Sequence, residues 1–109
     1  MTVEARDRLR DEVLEALRMV IDPELGESLV DLGLIYGIDV DEQGRMRIAM
    51  STTTKGCPAT AYLKDAVHSA ASFVPGVEGV EVLLTYDPPW SPDMIDASIR
   101  QVFRSAGGR

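Results

Sequence analysis

The chain holds a single cysteine, Cys57, and its setting is unusual for an inert thiol. It stands between a polar stretch, Ser51 to Gly56, and Pro58, a residue suited to the first position of a helix because its missing N–H costs nothing there. A sulfur at a helix start faces unpaired backbone N–H groups and the positive end of the helix dipole, which favours the thiolate. Lys55, two residues away, adds a cation, so the thiol is expected below its ordinary value of about 8.5. The plainer reading is a buried structural thiol, the common fate of a lone cysteine. Buried cysteines usually sit inside apolar runs, and this one does not.

Other side chains could join it. Ser51, Thr52, Thr53 and Thr54 precede the cysteine, and their hydroxyls can bond the sulfur, an anion or the loop's own backbone. Thr54 is nearest the Gly56-Cys57 turn. Asp22, Glu24 and Asp31 place three carboxylates near the end of the first helix, able to ligate a metal or, more commonly, to cap turns and helix ends. Capping is the expected role of Asp22 and Asp31. His68, the sole histidine, falls more than two helical turns beyond Cys57, too far to act as its base. One Cys and one His cannot assemble a four-ligand zinc site within one chain. Trp90 follows two prolines, where it can serve as a lid on the core or as an aromatic for docking a partner; partial burial with one exposed edge is expected. Phosphate loops, nucleophile elbows and CxxC pairs are absent.

The elements that position these residues are legible from periodicity. Leu9, Val13, Ala16, Leu17, Val20 and Ile21 form one face of a helix from about Val3 to Ile21, stopped by Asp22-Pro23. Leu34 to Val40 and Arg45 to Met50 alternate around Asp41-Glu42-Gln43-Gly44 as a β-hairpin. Leu63, Ala66, Val67, Ala70 and Ala71 mark a second helix, expected to begin at or just after Cys57 and to end at Pro75-Gly76. Val80, Val82 and Leu84 form a third strand, which must leave the sheet at Asp87-Pro88-Pro89-Trp90. Ser91-Pro92-Asp93 resembles a helix start, predicting a third helix to about Arg104 and a frayed tail over Ala106 to Arg109. The order αββαβα defines an α+β, two-layer domain with helices packed on one face of a small sheet.

With 109 residues, 45% hydrophobic and 27% charged, the chain should form one domain spanning 1–109, with its core at about 9–103. A net charge of −7 with no basic stripe disfavours nucleic acid. The longest apolar run, near Leu32 to Ile38, is far below the ~18 residues a membrane span needs, and the acidic first residues do not look like a targeting segment. A lone thiol fits a reducing compartment, and the chain is read as cytoplasmic.

Four stretches carry a resemblance. Asp22-Pro23-Glu24, Val30-Asp31-Leu32-Gly33-Leu34-Ile35-Tyr36, Gly56-Cys57-Pro58 and Asp87-Pro88-Pro89-Trp90-Ser91-Pro92, in that order, resemble the SufT- and PaaD-like metal–sulfur cluster assembly family, from roughly Leu9 to Phe103. The resemblance implies an α+β factor that helps mature iron–sulfur proteins beside a scaffold and its ATPase, rather than an enzyme. It places the family's cysteine on Cys57, its acidic residues on Asp22, Glu24 and Asp31, and its threonine on Thr53 or Thr54. Lys55 stands where relatives often have proline, and the chain lacks the cysteine-rich tail of the phenylacetate-degradation members, which points to the SufT-like branch.

The implied cargo is an iron–sulfur cluster or iron, held transiently. One thiolate cannot hold a cluster, which generally needs four ligands, so ligands must be borrowed. A homodimer can bridge a cluster through two Cys57 thiolates, a scaffold or client apoprotein can share one, or Cys57 can dock beside a client's ligands. The first two are the versions expected here. Two rivals remain at this point: a redox or covalent-chemistry protein using a low-pKa Cys57, and an interaction adaptor using Trp90.

Overall fold

The computed structural model describes residues 1–95 of the chain. Helix α1 (Val3–Leu17) starts where the Thr2 hydroxyl accepts the Ala5 amide at 3.0 Å, and it buries Leu9, Val13 and Leu17, spaced four apart on one face. It ends four residues before the expected Ile21. Beyond Leu17 the backbone is taken up by a different partner: Leu29 N–H donates to the Val20 carbonyl, and Ile21 forms a β-bridge with Ser28.

Strands β1 (Ile35–Val40) and β2 (Arg45–Met50) form the predicted hairpin, closed by Asp41, whose carboxylate accepts the Gln43 and Arg45 amides. Strand β3 (Gly79–Leu84) pairs in parallel with β2, giving the order β1-β2-β3 with β2 central. A parallel pair needs a crossover, which helix α2 (Thr60–Ser72) supplies while burying Leu63, Val67 and Ala71. Met46, Ile48 and Met50 of β2 point inward to this core, and both helices lie against that face. The opposite face carries the cross-strand row Asp39, Arg47 and Glu81, with Arg47 and Glu81 ion-paired at 3.0 Å. The architecture is the expected two-layer α+β arrangement.

Helix α2 begins three residues later than the sequence suggests. Residues 57–59 form a turn in which the Cys57 carbonyl accepts both the Thr60 amide at 3.1 Å and the Thr60 hydroxyl at 2.7 Å. Pro58 therefore precedes the helix, and Ala59 takes the capping position without a side-chain cap bond. At the other end of the chain, Ser91 makes no side-chain cap bond and Pro92–Met94 form a single 3-10 turn. The expected helix to Arg104 and the frayed tail lie outside the described residues.

Two of the sequence stretches singled out above are bolted together. The Trp90 indole N–H donates to the Leu32 carbonyl at 2.7 Å, and the Tyr36 hydroxyl donates to the Pro88 carbonyl at 2.8 Å. Gly33 lies beneath this corner at φ +73, where a Cβ would run into the Met94 backbone; only glycine meets both demands. Among the described residues, no helix is long and apolar enough to cross a membrane.

Candidate functional site

The site lies where β2 and β3 end, and three segments build it. The first is the loop Asp22–Ser28. Asp22 is 1% exposed, and its Oδ1 accepts the amides of Glu24 at 2.8 Å and Leu25 at 3.2 Å, the turn-capping role expected of it. Bonds from Asp22 N–H to Glu27 O and from Gly26 N–H to Asp22 O close the loop's base. This small ring carries Glu24 outward to Cys57.

The second segment is Ser51–Pro58. Gly56, at φ +76, turns the chain into Cys57. The cysteine is 5% exposed, and its Sγ–H donates to Glu24 Oε1 at 3.1 Å. The thiol is held above its ordinary range, first by burial, then by the hydrogen bond to Glu24, with the negative charges of Glu24 and Asp22 adding to the effect. The Ala59 amide pulls the other way and does not prevail. The expected thiolate-favouring setting is thus overturned: burial outweighs the one helix-start amide that reaches the sulfur, and a carboxylate arrives where a cation was looked for. The low-pKa redox reading loses its main support.

Lys55 points elsewhere, its Nζ lying 5.7 Å from the centre of the Tyr86 ring. Asp31 also turns away, pairing with Arg18 at 2.8 Å while its amide donates to the Ser28 hydroxyl. Thr53 is half-buried and Thr54 exposed, and Thr54 contributes its carbonyl rather than its hydroxyl to the loop. Of the three acidic residues, only Glu24 hydrogen-bonds Cys57, with Asp22 behind it. Among the described residues, no group of three or more His, Cys, Asp or Glu converges to hold a metal. His68 is exposed on α2.

The third segment follows β3 and supplies what sequence reasoning missed. Thr52, 1% exposed, donates its hydroxyl to the Thr54 carbonyl at 2.7 Å and contacts the Tyr86 hydroxyl at 2.7 Å. A signal for this pair was present. Met46, Ile48 and Met50 alternate inward, and so do Val80, Val82 and Leu84; two residues on, in the same phase, stand Thr52 and Tyr86. Met50 pairs with Leu84, and the Thr85 amide donates to Met50 O at 2.8 Å, so the two side chains occupy the next inner position of the ladder.

A small α+β domain with one masked thiol at the ends of two parallel strands is the class that fold and site define. Residues 10–84 match the family of iron–sulfur cluster assembly proteins, and the chain belongs to that family. It is 40% identical over 87 residues to the Fe-S protein maturation auxiliary factor YitW of Bacillus subtilis, covering 80% of this chain and 85% of that one. It is likewise 40% identical over 77 residues to the Fe-S protein maturation auxiliary factor SufT of Staphylococcus aureus, covering 71% of this chain and 88% of that one. Among solved structures, a domain of unknown function from Bacillus anthracis superposes with a TM-score of 0.87 at 30% identity, covering 99% of this chain and all of the other.

Proposed function

We propose that this protein is a cytoplasmic, non-enzymatic, single-domain auxiliary factor in iron–sulfur protein maturation, and that Cys57 takes up iron or a cluster as a transient or intersubunit ligand. The observation that carries this reading is the 3.1 Å contact between the Cys57 thiol and the Glu24 carboxylate in a member of the cluster assembly family. A sulfur must lose its proton to ligate iron. The contact keeps the thiol neutral at rest and sets a carboxylate at the sulfur to receive the proton when incoming iron stabilises the thiolate. Asp22 holds Glu24 in register for this step. The remaining ligands come from a second chain, a scaffold or a client apoprotein, since a cluster generally needs four. The half-exposed Trp90 belongs to the partner-facing surface.

Anaerobic reconstitution with iron and sulfide, following visible absorption and the size of the coloured species, tests the reading. Wild type acquires a chromophore that Cys57→Ser lacks, travelling with a dimer or with an added apoprotein. A chromophore of equal yield in Cys57→Ser refutes the assignment of Cys57.

A further inference from the structure

The loop from Ser51 to Cys57 is anchored on one side by a residue with no chemical role of its own. Thr52 has one hydroxyl hydrogen, and the 2.7 Å bond to the Thr54 carbonyl uses it. In the second 2.7 Å contact Tyr86 must therefore be the donor, with Thr52 Oγ1 accepting. The bonds run in one direction, from Tyr86 to Thr52 to Thr54, and end inside the turn that leads to Gly56 and Cys57. Lys55 closes the same turn from outside by laying its ammonium over the Tyr86 ring, 5.7 Å from the centre. Tyr86 thus grips both Thr52 and Lys55, the latter two residues from the sulfur. Just before it in the chain, the Thr85 amide bond to Met50 O keeps the ends of β2 and β3 in register.

We propose that Tyr86 is a positioning residue for Cys57: through the Thr52 hydroxyl and the Lys55 ammonium it fixes the Thr52–Cys57 loop in the shape that keeps the thiol covered and against Glu24. Its functional weight rests on the reading of Cys57 as the working residue. Local opening of this loop is the event that exposes the sulfur, and Tyr86 sets how often that happens.

The test is the rate at which Cys57 reacts with an aromatic disulfide reagent in the metal-free protein, with melting temperature read alongside. Tyr86→Phe keeps the ring and removes only the donor, so the rate rises about fivefold, the equivalent of one hydrogen bond of about 1 kcal/mol. Lys55→Met, at an exposed position, raises it about twofold. Tyr36→Phe removes a tyrosine hydroxyl bond of similar length, at the Pro88 corner, and leaves the thiol rate unchanged whatever it does to melting. Thr52→Val raises the rate as well, and adding Tyr86→Phe to it brings little more, because the two hydroxyls act as one chain. An unchanged rate in Tyr86→Phe, or an equal rise in Tyr36→Phe, overturns the proposal. Because no cluster is involved in this readout, its failure leaves cluster uptake by Cys57 untouched, and an equal chromophore in Cys57→Ser would leave the loop geometry standing.

Discussion

Replacing Glu24 with glutamine separates the two ways in which this residue acts on Cys57. The amide oxygen can still accept the thiol hydrogen now held at 3.1 Å, but the negative charge is gone. Of the influences that hold the thiol up, burial remains and the charge of Glu24 is removed, so the thiolate forms more readily and the titration moves to lower pH. Unit charges about 4 Å apart interact by about 4 kcal/mol at an effective dielectric of 20 and by about 1 kcal/mol in water. Glu24 is exposed, so screening puts the pair toward the lower limit. About 1 to 2 kcal/mol corresponds to roughly fivefold to thirtyfold more thiolate at a given pH below the midpoint. The assay is the alkylation rate of Cys57 against pH, read for both proteins at two ionic strengths. The curve of Glu24→Gln lies to the acid side of wild type, and the gap narrows with salt. A curve that coincides with wild type, or lies to its alkaline side, refutes the electrostatic account of the site.

Other consequences can be measured on the same protein. Because the folded thiol titrates above its ordinary range, the neutral form contributes stability that is intact below that range and is lost as pH climbs through the raised value. Urea melts of wild type and Cys57→Ala should therefore diverge above about pH 9, with wild type losing more; parallel curves would contradict the shift. Asp22→Ala removes the acceptor for two loop amides and should cost about 1–3 kcal/mol in urea unfolding. Asp22→Asn keeps an acceptor oxygen and should cost clearly less, and equal losses would mean that the carboxylate charge, rather than the turn, is what matters.

The sequence carried the scaffold well because the scaffold is written in local repetition. Alternating residues on Arg45 to Met50 and on Val80 to Leu84, and the four-residue spacing of Leu9, Val13 and Leu17, each report which face a residue buries. Element ends were less legible. Nothing within Val20 or Ile21 says that Leu29 and Ser28 will capture their backbone, and a helix-compatible Pro58 does not reveal that the Cys57 carbonyl will close a turn first. The site followed the same division. Cys57 stood out by its setting, whereas its electrostatics depend on Glu24, thirty-three residues away in sequence, and are not a local property. Asp31, expected to cap as Asp22 does, instead pairs with Arg18 thirteen residues earlier, again a tie that local sequence does not report. Thr52 and Tyr86 could have been found by extending the strand alternation two residues further.

The covered, neutral state of Cys57 has a consequence for durability. Oxidation by peroxide begins with the thiolate and follows its exposure, and the resting protein offers little of either, with the sulfur 5% exposed and its proton held toward Glu24. The one thiol is thus open to irreversible loss only while the loop that covers it is open. The carboxylate that holds the thiol neutral is then also its preservative, and Glu24→Ala, stored in air, should lose free thiol sooner than wild type.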